Sequence, residues 1–425
     1  MKIAIIGSGI SGVGLAWLLN NHHQITVFEK NSYVGGHANT VEINYPLGEK
    51  TKKIAVDTGF IVYNFRTYHH LKKFFEHLKV GVKKSVMSFG VSCNDGFEYS
   101  GASLGGLFAD KKNLLKPKFW RMLFDIFRFN FRATKLVLDQ KVSPITLSQF
   151  VEEMGLGEYF KKYYLFPMAA AIWSCPMELM KNYPAQQFLR FFYNHGLLTV
   201  FNQPTWYTVD GGSREYLKKA TINFFDKIRL NCGAKKISPQ ENGKIILSDS
   251  AGENHEFDQV VFACHADEAL EIITKSDLAQ NEIFSEILGK FKYSKNVAVL
   301  HRDSLQMPKN KAAWASWVYL HNNKIKQVSL TYWMNNLQNI DKRFPLFVTL
   351  NPKEKIAPNL VFGEYIYHHP IFDLDAIEAQ KKLDKIQGKN NLWFCGAYTR
   401  FGFHEDGLLS AINIANKFNI SAPWQ

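Results

Sequence analysis

The sequence predicts an α/β chain, a Rossmann-like dinucleotide-binding domain joined to a second, α+β domain. Three observations predict it. A glycine fingerprint sits between an apolar strand and a helix at the N-terminus. A strand–glycine–helix unit recurs near the other end. The length, 425 residues, exceeds what one hydrophobic core ordinarily organises.

The elements follow in chain order. "KIAIIGSGISGVGLAW" reads as a buried strand over 2–6 and a helix over 11–21, with Gly7, Gly9 and Gly12 in the turn between them. Gly7 permits the tight turn, Gly9 lets backbone approach a pyrophosphate, and Gly12 lets helix pack closely on strand. The helix start offers free N–H groups to the phosphates. Glu29 closes the second strand, about twenty residues on, where a carboxylate accepts from ribose hydroxyls. "NSYVGGHANT" then brings a second glycine pair, Gly35-Gly36, where nicotinamide enzymes ordinarily run into a helix. Late in the chain, "NLWFCGAYTRFGFHEDGLLSAINIAN" predicts a strand over 391–395, a turn at Gly396 and a helix over 408–417. That unit suits a chain returning to hold a flavin ring, and the three segments together point to FAD.

Composition narrows the class. Hydrophobic residues make up 46% and charged residues 21%, a globular balance. Five cysteines without CxxC spacing predict neither a disulfide framework nor a zinc site. No apolar run approaches the roughly 20 residues that span a bilayer, and Met1-Lys2 runs straight into the first strand without a signal-peptide pattern. A reduced, cytoplasmic protein is expected. The net charge of +13 predicts an anionic partner.

The stretch "KFWRMLFDIFRFNFRATKLVL", 118–138, predicts a basic amphipathic helix. Lys118, Arg121, Asp125, Arg128, Arg132 and Lys135 fall three and four apart on one stripe. Phe119, Trp120, Phe124, Phe127, Phe129 and Phe131 occupy the rest. Two outcomes stay open: a helix on the inner face of an anionic membrane, or one with its apolar face in the core. Nucleic acid is not expected, because the aromatics form no base-stacking module.

Several stretches resemble the flavin-containing amine oxidase superfamily, and most closely a bacterial branch found beside cyclopropane-fatty-acid synthases. They are "VDTGFIVYNFRTY", "MSFGVSCNDGFEYSG", "PMAAAIWSCP", "FLRFFYNHGLL", "WYTVDGGSREY", "VVFACHADEAL" and "FCGAY…GFHEDGL". The resemblance implies a discontinuous FAD domain, 1–90, 205–270 and 385–425, and a substrate domain, 91–204 and 271–384. It places Gly7, Gly9, Gly12, Glu29, Gly35, Gly36, Asp57-Thr58-Gly59, Gly396, Asp406 and Gly407 on FAD contacts, and Lys236 on an edge strand meeting the adenine. His37, beside the double glycine, is expected to orient phosphate or ring. Cys395 is expected in the core, so the FAD is non-covalent. His404 stands where amine oxidases carry an aromatic residue, which weakens an amine substrate.

The expected chemistry is hydride transfer at flavin N5 on a carbon–carbon bond of a lipid acyl chain, by dehydrogenation or its reverse. His404 is the candidate base, since an unperturbed imidazole titrates near neutral pH. Tyr63, with Asn64 and Arg66, is a second candidate facing the ring. His195, Trp173 and His265 are pocket or structural residues. The alternatives are an amine oxidase, or a flavin-bound accessory subunit of a cyclopropane-fatty-acid-synthase-like methyltransferase.

Overall fold

The computed structural model describes all residues except 200–202, 277, 279–280 and 322–327. Five parallel strands form one sheet in the order Ile228–Arg229, Gln24–Phe28 (β2), Lys2–Ile6 (β1), Gln259–Phe262, Leu392–Phe394. From β1 the chain first adds strands on one side and later on the other. That reversal opens a crevice at the carboxyl ends of β1 and Gln259–Phe262. Ile3, Ala4, Ile5 and Ile6 are all buried, as expected of a central parallel strand covered on both faces.

Helix α1, Ile10–Leu19, follows the glycine loop, and every residue in it but Trp17 is buried. The C-terminal helix His404–Lys417 packs along it through Leu408, Ala411, Ile412 and Ala415. That helix begins four residues before the expected 408. Its Asp406 Oδ2 accepts from Phe403 N at 3.0 Å, so the acidic stretch caps a first turn instead of preceding it. α1 likewise starts at Ile10 and stops at Leu19, two residues short of the expected end.

A second sheet has seven strands in the order Val361–Ile371, Lys292–His301, Phe347–Leu350, Leu330–Trp333, Trp317–His321, Phe89–Cys93, Glu98–Ser100. Its pairings are antiparallel except Trp317–His321 with Phe89–Cys93. A helical layer between residues 104 and 194 packs an aromatic core against this sheet. Phe119, Phe129, Phe160, Phe188 and Phe192 meet Val91 and Tyr319 there. The helix Pro117–Leu138 belongs to this layer and divides its aromatics, with Phe119 and Phe129 inside and Trp120, Phe124, Phe127 and Phe131 outside. Among the described residues no helix is long and apolar enough to cross a membrane.

A three-stranded meander, Ala234–Pro239, Ile245–Asp249 and Asn254–Phe257, stands beside the end of β2, where Cys232 N donates to Glu29 O at 2.8 Å. Lys236 lies on its edge strand. The long strand Val361–Ile371 brings the second sheet to the first, placing Tyr367 and His369 beside His37.

Candidate dinucleotide and substrate site

The site starts from the first turn of α1. A Cβ on Gly12 would drive into the Gly7 carbonyl, so only glycine lets this helix sit so close to its strand. Gly9 is the opposite case, with no heavy atom within 4 Å of where its Cβ would stand. Its backbone faces open space. Gly36, at φ +58°, closes one side of that space, since a Cβ there would lie 3.3 Å from Gly9 Cα. Gly35 N donates to Ser8 O at 3.0 Å and fixes this approach. Gly407 closes the other side, where a Cβ would lie 2.8 Å from Ile10 Cγ2 and 2.9 Å from Ser11 Oγ. Gly396, in the preceding turn, is tied to the same helix by its N–H on Ser410 Oγ at 2.8 Å.

Three glycine segments, far apart in sequence, thus converge on two helix N-termini. Each terminus carries unpaired N–H groups and the positive end of a helix dipole. Glu29 completes the crevice. Its Oε2 accepts from Ser8 Oγ at 2.6 Å and Ser8 N at 3.0 Å, and its Oε1 accepts from Asn31 N at 2.8 Å. A carboxylate already accepting from a hydroxyl suits a ribose, and an amide-rich gap at Gly9 suits a pyrophosphate. The residues fit a dinucleotide.

Asp57 has a different task from the one expected. Its carboxylate accepts from Thr40 Oγ1 at 2.5 Å, Ser213 N at 2.9 Å, Ser213 Oγ at 2.8 Å and Gln338 Nε2 at 2.8 Å. The side chain is a knot tying four chain segments, with no lone pair directed at a ligand. Burial pushes its pKa up to about 6 despite these donors. Thr58 N donates to Asn39 O at 2.9 Å and Phe60 N to His37 O at 2.7 Å. Gly59 is needed because a Cβ there would strike His37 O. This segment therefore positions His37 and is held from behind. Asp406 is likewise engaged by Phe403 N, and burial lifts it to about 6.

His37 lies among Tyr367, His369 and His265, with ring centroids 4.9, 5.3 and 6.1 Å away. Burial first, then the neighbouring imidazoles, hold it well below the usual histidine range. His265 stacks on Tyr293 at 4.5 Å. His369 bonds Asn296 Nδ2 through Nδ1 at 2.9 Å, and burial lowers it to about 4. Tyr367, His368 and His369 carried no motif. Only the cross-sheet approach reveals them.

His404 is brought to the crevice in the first turn of its helix. It stacks on Phe60 at 3.8 Å and 8°, and its Nε2 shares a hydrogen bond with Tyr216 OH at 3.1 Å. Burial lowers its pKa to about 3. Burial therefore disfavours the protonated imidazole, which weighs against the expected role as base and for a positioning role. Tyr63 is disfavoured too. It is buried against Tyr68 and Phe75, and burial raises its hydroxyl far above the usual range. Asn64 is buried, with Oδ1 accepting from Arg66 N and Thr67 N. Arg66 points outward over Tyr193. Trp173, Phe191, His195 and Phe403 form one aromatic wall, with Phe191 4.7 Å from Trp173, 3.8 Å from His195 and 5.0 Å from Phe403. Cys395 is fully buried.

Residues 5–78 match the NAD(P)-binding Rossmann-like domain family, a span running from β1 through Glu29, the double glycine and Asp57 to the end of the helix His69–His77. No curated protein sequence matches the chain. Among solved structures, a CLA-producing fatty acid isomerase from P. acnes superposes with a TM-score of 0.67 at 14% identity, covering 98% of each chain. Putrescine oxidase bound to putrescine gives 0.69 at 12%, covering 99% of each. Cyclohexylamine oxidase from Brevibacterium oxydans gives 0.68 at 13%, covering 98% of this chain and 99% of that one. Over nearly its whole length the chain has the mixed α/β fold of these oxidases and this isomerase, with a Rossmann-like dinucleotide-binding domain at its N-terminus.

Proposed function

We propose that the chain is an FAD-dependent oxidoreductase acting on a carbon–carbon bond of a fatty acyl substrate. The observation that carries the cofactor is the meeting of Gly9, Gly36 and Gly407 at two helix starts. The first serves a pyrophosphate, Gly36 brings the second glycine pair against it, and buried Gly407 lets the C-terminal helix pack closely on the first turn of α1. Lys236 on its edge strand is the adenine-side contact. Cys395 is fully buried in the core, and burial pushes its thiol up to about 12, which disfavours covalent attachment and supports a non-covalent FAD.

A bound flavin supplies acceptance of a hydride from a substrate C–H. The chain's residues do the rest. Trp173, Phe191 and Phe403 exclude water beside the crevice, and His404, fixed by Phe60 and Tyr216, is a neutral positioning group.

Charge supports an acyl chain over an amine. Asp57 and Asp406 are engaged as described, and Glu405 accepts from His70 N and Leu71 N, both at 2.9 Å. Glu268 pairs with Lys30. None of these four is left to pair with a substrate ammonium, whereas an apolar chain needs no counter-ion. The amine oxidases and the fatty acid isomerase share the fold equally, so the fold does not choose between them. The sequence resemblance adds phospholipid acyl chains as the pool, shared with a cyclopropane-fatty-acid-synthase-like methyltransferase.

Anaerobic mixing tests this reading. Purified yellow protein is expected to bleach with unsaturated or saturated acyl lipids and not with mono- or diamines. Bleaching by amines with peroxide release on aeration overturns the substrate class, and a colourless protein that takes up no FAD overturns the cofactor. A His404→Gln variant is expected to keep FAD and lose about tenfold in reduction rate through lost positioning. Its rate–pH profile between 5 and 8 should match wild type, because a group at about 3 does not titrate there.

A further inference from the structure

The helix Pro117–Leu138 is anchored by one face and unpartnered on the rest. Phe119, Met122, Phe129 and Ala133 are fully buried, with Phe129 packed on Phe160 at 5.4 Å. On the outside stand Trp120, Phe124, Phe127, Phe131 and Leu138, at exposures of 49, 63, 58, 78 and 61%. Their spacing of four, three, four and seven places them on a single stripe along the helix. Lys118, Arg121, Arg128, Arg132 and Lys135 are exposed too and run beside that stripe. Asp125, the only acid on the helix, is buried, paired with Arg128 at 3.1 Å and accepting from Gly157 N at 2.9 Å. It also pairs with Arg121 at 3.8 Å, so it offsets one of the five positive charges and leaves the outer face with a clear basic excess. The preceding turn adds exposed Leu114 and Leu115 with Lys111 and Lys112.

Aromatic rings left in water along several turns mark an interaction surface. Its occupant must accept apolar side chains while presenting negative charge. A second copy of this chain brings the same excess of positive charge, +13, and is disfavoured. An anionic lipid headgroup layer offers both, with acyl carbons below and phosphates at the level of the lysines and arginines. At about 1.5 Å per residue the helix is roughly 33 Å long, enough for its whole flank to lie in that plane.

We propose that the exposed flank of Pro117–Leu138 seats this protein on an anionic phospholipid bilayer, with the aromatic stripe inserted and the basic stripe on headgroups. This does not rest on the flavin reading, and its test is independent of colour. The full chain is sedimented with phosphatidylglycerol vesicles and with phosphatidylcholine vesicles, at low and high salt. Expected is binding to the anionic vesicles, weakened at least about tenfold by high salt or zwitterionic lipid. Phe124→Ser with Phe131→Ser, and separately Lys118→Gln with Arg132→Gln and Lys135→Gln, should each weaken it by about tenfold or more. These side chains are on the surface, so the circular dichroism melt should stay at the wild-type value. Wild-type protein that stays in the supernatant overturns the proposal. So does binding that both variants retain, or a dimer that Phe131→Ser dissolves.

Discussion

Two helices of this molecule carry their meaning in different places. Ile10–Leu19 has no charged residue and is buried all round save Trp17, so only its first turn can meet a ligand. Pro117–Leu138 is buried along one face, and its ends are unremarkable; whatever it does, it does through its flank. A task at a helix end is set by local glycines that control how closely backbone approaches. A task on a flank is set by which side chains the rest of the fold leaves uncovered. The aromatic content of 118–138 was therefore compatible with core or interface, and the structure buries Phe119 and Phe129 while leaving Trp120, Phe124, Phe127 and Phe131 exposed.

The comparison can be broken most severely at its glycine end. Gly12→Val forces a side chain into the Gly7 carbonyl, and a loss of more than about 4 kcal/mol is expected in urea unfolding. Gly9→Ala meets open space, so its unfolding free energy should stay within about 0.5 kcal/mol while bound flavin is lost. Flavin retained at full occupancy in Gly9→Ala would place the ligand elsewhere. On the other helix, Phe129→Ala should cost about 3–4 kcal/mol because it opens a cavity. Phe131→Ala, two positions away and 78% exposed, should stay within about 0.5 kcal/mol. Equal losses at the two positions would mean that the outer stripe is covered in solution.

The smallest expected effect is on pH dependence. Burial holds His195 and His369 at about 4 and His301 and His404 at about 3, all below the ordinary 6.5. The unfolded chain thus binds more protons, and stability is lost as pH falls from about 6.5 toward 4. Asp57 and Asp406, raised to about 6, act oppositely, giving stability at acid pH that fades as pH rises through 6. The imidazoles outnumber them, so the urea midpoint should fall on acidification. His404→Gln should flatten that fall slightly, and an unchanged slope would mean that His404 is not held neutral by the fold.

The first strand, its loop and Glu29 were legible because their chemistry is local. Boundaries were less so. The C-terminal helix starts at His404 and not at the expected 408, and Gly407 lies inside its first turn, pressed by Ile10 and Ser11 of another helix. The histidine assembly around His37 was not legible, since Tyr367 and His369 arrive from the second sheet. Nor was the role of Asp57. Its partners Thr40, Ser213 and Gln338 lie 17, 156 and 281 positions away, beyond any local pattern. The burial that lowers the basicity of His404 was not legible either, because its stacking on Phe60 is a tertiary fact.

Gly407's contact with the first turn of α1 also sets an order of events in the cell. The N-terminal half of the seat leaves the ribosome first, but its opposite wall does not exist until residue 407 has been made and its helix has docked. On the proposed flavin reading, a prematurely terminated chain that folds its opening β–α–β unit is expected to capture no cofactor, and loading is expected to follow synthesis instead of accompanying it.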